Sequence, residues 1–160
     1  MEARLNPLGT DIGPKFVKYL VSTGMVVADS TVPQATQGLV NIRASQINGC
    51  GGCLDMHSKE AARAGESSVR LNLIAAWRET TVFTDAERAA LELTEQGTRL
   101  ADSSGVTDEA WANAAGHYDE EQLTALVAQI AIINAFNRLN VITQQVGGEY
   151  EPGQLDKDAI

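Results

Sequence analysis

The stretch from which the fold and the site can be inferred is Arg43-Ala-Ser-Gln-Ile-Asn-Gly-Cys50-Gly-Gly-Cys53-Leu-Asp-Met-His57. It holds both cysteines and one of the two histidines of the chain. The spacing is Cys-x-x-Cys-x-x-x-His, which on a helix puts the three side chains at i, i+3 and i+7, on one face. The pattern therefore predicts a helix that carries two thiols and an imidazole as one compact site.

The residues around the cysteines indicate where this helix begins. Asn48-Gly49 predicts a break, and the glycines beside Cys50 let the chain turn tightly and leave that thiol accessible. A helix N-terminus favours the thiolate of Cys50, and His57, one turn after Cys53, can accept the Cys53 proton or stabilise its thiolate. Thiols three apart at a helix start can also meet the geometry of a disulfide. This set of groups suits a dithiol–disulfide cycle.

The Cys-x-x-Cys spacing is shared with zinc sites and with thioredoxin-like proteins. The βαβ pattern of a thioredoxin is missing here, and zinc would need a fourth ligand or a water. His117 is the only other imidazole, and Asp55 lies off the face of Cys53 and His57. A further alternative is that the cysteines are two idle buried side chains. We expect neither a metal nor a cofactor.

Composition restricts the class of protein. The chain has 160 residues, 44% hydrophobic and 21% charged, which fits one globular domain over residues 1–160. A net charge of −9 argues against nucleic-acid partners and against an anionic membrane surface. The N-terminus lacks a secretory pattern, and the richest apolar stretch is broken by Asn134 and Asn137, so we expect no membrane span and a cytoplasmic protein. In that reducing compartment, a lone cysteine pair indicates redox chemistry or metal binding.

The pattern of apolar residues predicts an all-α, oligomer-forming domain of about seven helices. Capping patterns at Thr84 and Asp119 open two of them, and the first of these is expected to stop near Ser104-Gly105. The other runs from about Glu120 to Val146 and is apolar on nearly every side, which indicates a central helix or one shared with another subunit. The tail after residue 147 is expected to be an extended arm or disordered.

The cysteine segment resembles the carboxymuconolactone decarboxylase family, in its alkylhydroperoxidase D-like branch. The resemblance covers roughly residues 38–146. It continues through Ala75-Ala-Trp77-Arg78-Glu79, Phe83-Thr84-x-x-Glu87-Arg88-Ala89-Ala90-Leu91 and Ile133-Asn134-Ala-Phe-Asn137-Arg138-Leu139. It implies an all-α domain that assembles into homotrimers or homohexamers.

The resemblance also implies roles for the site residues. Cys53 and His57 match the histidine-activated thiol and its base, and Cys50 matches the partner thiol. Members with this pair resemble thiol peroxidases or thiol-dependent reductases that act on a hydroperoxide or disulfide and are recharged by a lipoyl-type or other dithiol donor. Family peroxidases carry a relay Glu twelve residues before the first cysteine, where this chain has Gly38. We therefore expect a less basic His57 and slower proton transfer.

Two rival functions remain. One is a carboxymuconolactone decarboxylase-like lyase that uses His57 as proton donor. The other is a non-catalytic, redox-sensing oligomer whose disulfide state alters assembly. Among other polar residues, Arg43 is expected to hold the loop before the cysteines through backbone carbonyls. Glu60, Glu79 and Glu87 are expected to be caps or surface charges, one of which could replace the missing relay carboxylate in space.

Overall fold

The computed structural model describes residues 2–102 and 105–154, and within those ranges every regular element is a helix, which confirms the all-α prediction. The predicted single domain over 1–160 includes Met1, residues 103–104 and residues 155–160, which lie outside the described part. The seven α-helices are α1 (Gly13–Ala28), α2 (Gln34–Asn48), α3 (Gly51–Arg63), α4 (Ser68–Leu73), α5 (Asp85–Thr98), α6 (Asp108–Ala115) and α7 (Glu120–Ile142). Short 3-10 helices cover Pro7–Gly9 and Ile74–Glu79.

The break before the cysteines lies where the sequence predicts it. Helix α2 ends at Asn48, and Gly49 follows with φ of +66°, in the left-handed region that glycine adopts at little cost. Cys50 is then the N-cap of α3, and its sulfur accepts a hydrogen bond from the backbone N–H of Cys53 at 3.3 Å. The cysteine pair therefore occupies the first turn of a helix.

Both predicted capping boxes are present, with Thr84 capping α5 and Asp119 capping α7. The two helices end earlier than expected. Helix α5 ends at Thr98, and Ser104 of its predicted end lies outside the described residues. Helix α7 ends at Ile142 because Gln144 adopts a positive φ of 55° that does not continue a right-handed helix.

Helices α2 and α7 form the centre of the bundle, since α2 packs against α3, α5 and α7. By length and composition α7 could cross a membrane, which the sequence reading did not anticipate. However, it carries buried Gln129, Asn134 and Asn137, and each of these makes hydrogen bonds inside the fold. Helix α7 is therefore a core helix, as its all-round apolar character predicts. Helix α1 packs on α7 and leaves Phe16, Tyr19 and Val26 exposed.

Candidate functional site

The two cysteines form a disulfide, with their Cα atoms 5.4 Å apart. Cys50 is 1% exposed and Cys53 is 2% exposed. The expected accessibility of Cys50 is therefore wrong for the single chain. The segment after α7 lies against the start of α3: a Cβ on Gly147 would come within 2.5 Å of the Gly51 carbonyl oxygen. The glycines that allow the tight turn also let this segment approach closely.

The disulfide lies between two cavities. The larger of these two, here called the large cavity, has a volume of about 550 Å³ and is lined mainly by α1, α2, α3 and α7. Both Cys53 and His57 border it. Its apolar lining includes Val21, Met25, Ile132, Ile133, Phe136 and Leu139. The smaller, of about 280 Å³, is bordered by Cys50 and by residues 144–147. Cys53 and His57 thus share one cavity, whereas Cys50 borders the other.

His57 is a neutral imidazole at physiological pH. Burial lowers its pKa from 6.5 to about 4, and the charge of Glu60 opposes this shift only in part. Among the described residues that line the large cavity, none is Asp, Glu, Lys or Arg. His57 therefore faces the cavity as a hydrogen-bonding group without charge.

Gly38 lies on α2 beside a third cavity, of about 610 Å³, which His57 also borders. An added Cβ at Gly38 would meet only Ala61, at 3.9 Å, which is an ordinary van der Waals contact. The position where the family resemblance implies a relay Glu therefore has room for a side chain. The neighbouring Gln37 donates a 2.9 Å hydrogen bond to the Val32 carbonyl instead of providing a titrating group.

Of the three glutamates considered as substitutes for the relay, Glu60 is the one that borders the same cavity as His57 and Gly38. Its carboxylate accepts hydrogen bonds from the Tyr150 hydroxyl and the Gly153 N–H, both at 2.6 Å. Burial acts to raise the pKa of Glu60, but these bonds outweigh it and hold the pKa below its usual value. Glu60 is therefore a fixed anion near His57.

The other two glutamates lie elsewhere. Glu87 belongs to the capping box of α5 and pairs with Arg70 at 2.6 Å. Glu79 is exposed at the end of a 3-10 helix. Neither provides a carboxylate to the cysteine site.

The C-terminal arm, residues 147–153, is docked on α3. Asp55 accepts hydrogen bonds from the N–H groups of Gly148 at 2.6 Å and Tyr150 at 3.0 Å, and pairs with Lys59 at 2.7 Å. The hydrogen bond from Lys59, followed by that from Tyr150, lowers the pKa of Asp55 to about 2. Over residues 147–153 the predicted arm is thus anchored on α3, and Asp55 faces the arm instead of the cysteines.

Asn140, on α7, is the group that sequence reasoning missed. Its side-chain amide donates a hydrogen bond to the Cys53 sulfur at 3.3 Å, and Asn140 borders both the large and the small cavity. The signal was present in the sequence, because Asn134, Asn137 and Asn140 recur every third residue in an otherwise apolar helix. The first two connect α7 to α2, since Asn48 donates to both of them, at 3.0 and 2.8 Å.

A separate ion-pair group, here called the Glu95 cluster, contains three residues that carry the family resemblance, Arg43, Trp77 and Arg78, together with Glu92 and Glu95. The expectation for Arg43 was wrong, because it binds Glu95 at 2.7 Å and Gln46 at 3.0 Å instead of backbone carbonyls. Trp77 donates to Glu95 at 3.0 Å, and Arg78 pairs with both glutamates. Burial acts to raise the pKa of Glu95, but bonds from Arg78 and Trp77 outweigh it and lower the pKa.

Comparison with known proteins gives consistent results. Residues 14–96 match the carboxymuconolactone decarboxylase family. An uncharacterized protein of Bacillus subtilis (strain 168), YdfG, is 38% identical over 131 residues, which are 82% of this chain and 88% of that protein.

Two solved structures are also similar. A protein of unknown function from Agrobacterium tumefaciens, named as a candidate antioxidant defence protein AhpD, superposes with a TM-score of 0.86 at 30% identity, covering 93% of this chain and all of that one. The debrominase Bmp8, in complex with 2,3,4-tribromopyrrole, has a TM-score of 0.76 at 20% identity, covering 85% of this chain and 72% of that one, and is similar in fold alone.

Proposed function

The chain belongs to the carboxymuconolactone decarboxylase family, and from that premise we propose that it is a thiol-dependent peroxidase or dithiol–disulfide oxidoreductase that works through Cys50, Cys53 and His57. The observation that carries the proposal is the Cys50–Cys53 disulfide at the start of α3, with Cys53 and His57 bordering one apolar cavity. A disulfide in this position is the oxidised product of such a cycle.

In the proposed cycle the reduced Cys53 thiolate attacks the terminal oxygen of a hydroperoxide. The O–O bond breaks, Cys53 becomes a sulfenic acid, and the alkoxide leaves as the alcohol with the proton that His57 took from the Cys53 thiol. The Cys50 thiol then attacks the Cys53 sulfur and expels water, which forms the disulfide. A small dithiol, of lipoyl or another type, reduces the disulfide and is itself oxidised to a disulfide.

The large cavity favours an organic substrate. Its apolar lining and volume suit a hydroperoxide with an alkyl or aromatic group better than hydrogen peroxide, because burial of apolar surface contributes binding free energy only to the former. We expect a higher kcat/KM for cumene hydroperoxide than for hydrogen peroxide, measured with the same dithiol donor.

The test is hydroperoxide consumption with dihydrolipoamide as donor. Cys53→Ser and Cys50→Ser are each expected to abolish turnover, because the chain has no other thiol. His57→Ala is expected to slow turnover. The matched control is His117→Ala, since His117 is exposed and borders neither cavity. Activity that survives both cysteine substitutions would show that the assignment is wrong.

The two rival functions predict different results. A lyase that uses His57 as proton donor needs a protonated imidazole, which the pKa of about 4 disfavours at neutral pH. Turnover of a small carboxylated lactone that persists after thiol alkylation would support it. A redox-sensing oligomer would instead change its mass between oxidised and reduced samples without consuming hydroperoxide.

We also propose that the protein is a cytoplasmic homotrimer or homohexamer. The exposed apolar side chains of α1, including Phe16, Tyr19 and Val26, support burial against another copy. Light scattering is expected to give a mass of three or six times 17.1 kDa. A mass of one chain would rule out this assembly and would leave the redox chemistry untouched.

A further inference from the structure

We propose that Asn140 is a catalytic residue, whose side-chain amide stabilises the thiolate of Cys53 in the reduced protein. The consequence for turnover rests on the proposed redox function. The interaction itself does not, because it concerns the acidity of one thiol and can be measured without any substrate.

The Asn140 side chain is in direct contact with the Cys53 sulfur. The Asn140 amide nitrogen lies 3.3 Å from the Cys53 sulfur and donates to it from α7, the helix that faces the start of α3 across the disulfide. Cys53 is 2% exposed, so water can provide little stabilisation of a negative sulfur. A hydrogen bond to the charged form of a buried group favours that form.

Cys53 has few titratable neighbours among the described residues. Among the described residues lining the large cavity, His57 on α3 is the one titratable side chain besides the cysteine itself, and α1, α2 and α7 contribute apolar or carboxamide groups there. Across the small cavity the titratable neighbour is Cys50. His57 is uncharged above about pH 4, and Gly38 provides no carboxylate to recharge it. Within the described residues, the Asn140 amide is therefore the side-chain group that is already placed to donate to the Cys53 sulfur, whereas His57 could contribute only the single N–H of a neutral ring.

The two sulfurs receive their hydrogen bonds from different sources. Cys50 receives its hydrogen bond from the backbone N–H of Cys53, as the N-cap of α3, and it benefits from the partial positive charge of the helix start. Cys53 receives its bond from a side chain of another helix. A substitution can therefore remove the stabilisation of Cys53 while the stabilisation of Cys50 is retained.

The recharging half of the proposed cycle uses this interaction. In recharging, the donor thiolate attacks the Cys50 sulfur and forms a new S–S bond to it. The electron pair of the old S–S bond leaves on Cys53, which takes up a proton later. The second donor thiol then attacks the donor sulfur and releases Cys50. Because a disulfide opens faster toward a more stable leaving thiolate, Asn140 favours attack at Cys50 and departure of Cys53.

The experiment measures alkylation of a single thiol by iodoacetamide as a function of pH. In a Cys50→Ser background Cys53 is the only thiol, and Asn140→Ala and the isosteric Asn140→Asp are added to it. We expect the pKa of Cys53 to rise by about one unit in Asn140→Ala, so that the alkylation rate at neutral pH falls about tenfold. The rise should be larger in Asn140→Asp, because a carboxylate replaces the donor and repels the thiolate.

Two controls make the result specific. Asn41→Ala removes a carboxamide of the same cavity that binds Gln129 and not a cysteine, and it should leave the Cys53 titration unchanged. In a Cys53→Ser background, Asn140→Ala should leave the Cys50 titration unchanged. An unaltered Cys53 titration in both Asn140 variants would overturn the proposal. A raised Cys53 pKa in a protein that consumes no hydroperoxide would support the role of Asn140 and reject the proposed function instead.

Discussion

The Glu95 cluster and the cysteine site treat charge in opposite ways. In the cluster, two arginines converge on a largely buried carboxylate, and Arg78 also lies 4.2 Å from the centre of the Trp77 ring. At the cysteine site the imidazole is neutral, and a thiolate would depend on a helix start and on carboxamide dipoles. The ion pairs of the Glu95 cluster join α2, α5 and the 3-10 helix at Ile74–Glu79, whereas none of the described residues that line the cavity of Cys53 and His57 is Asp, Glu, Lys or Arg.

The largest expected effect comes from removing the charge at the centre of the cluster. Glu95→Ala leaves Arg43 and the Trp77 N–H without their shared acceptor, so we expect a loss of about 3 kcal/mol in the free energy of unfolding. Urea denaturation followed by circular dichroism measures it. The matched control is Glu92→Ala, whose more exposed carboxylate pairs with Arg78 alone among the arginines of the cluster and should cost less than about 1 kcal/mol. Equal losses in the two variants would contradict the assignment of Glu95 as the centre of the cluster.

The next effect concerns His57 and the pH dependence of stability. Its pKa is about 4 in the folded chain and 6.5 when unfolded, so the unfolded state binds a proton first as pH falls. The contribution of His57 is therefore fully present above pH 6.5 and is lost between pH 6.5 and pH 4, by about 2 kcal/mol after allowance for its partial exposure.

Urea midpoints measured from pH 8 to pH 4 test this sign. The difference in stability between the protein and His57→Gln should shrink or reverse as pH falls through this window. His117→Gln, at an exposed histidine, should follow the unsubstituted protein throughout. A parallel curve for His57→Gln would show that the imidazole is not held neutral by its surroundings.

The third effect concerns a substitution that adds a carboxylate near His57. Gly38→Glu places a carboxylate on the wall of the cavity that His57 borders, where the added Cβ makes only an ordinary contact with Ala61. We expect the pKa of His57 to rise and the hydroperoxide kcat to increase about tenfold, because the imidazole becomes a better base. NMR titration of the His57 ring and peroxidase assays measure the two changes.

Gly38→Gln is the matched control for that experiment. It fills the same space and removes the same helical glycine, but it cannot titrate. A gain in kcat equal to that of Gly38→Glu would indicate that packing and not charge limits the site.

The sequence predicts the local features of this molecule better than the contacts between distant helices. Helix starts at Cys50, Thr84 and Asp119 are local events, so the Asn48-Gly49 break predicted the first of them and the capping patterns predicted the other two. The pairing of Cys53 with His57 in one cavity also follows from positions i and i+4 on one helix. The role of Arg43 could not be predicted, because its partner Glu95 is 52 residues away in the sequence and meets it only after α2 and α5 pack. The hydrogen bond from Asn140 to Cys53 could not be predicted for the same reason, because it joins two helices, α7 and α3, that are far apart in the sequence.

The smallest expected effect lies at the arm, where the charge is near the surface. Asp55→Asn keeps the size of the side chain but removes the Lys59 ion pair and weakens the bonds to the Gly148 and Tyr150 N–H groups. We expect faster amide hydrogen exchange in residues 148–150 and, because the arm borders the small cavity at Cys50, faster reduction of the disulfide by dithiothreitol.

The same contact depends on pH, because the pKa of Asp55 is lowered from 3.8 to about 2. The stabilisation that the Asp55 carboxylate gives to the docked arm is complete above pH 3.8 and is lost as pH falls toward 2. Asp108→Asn, in the exposed first turn of α6, should change neither rate, and unaltered exchange in Asp55→Asn would mean that Glu60 and Gly147 hold the arm without it.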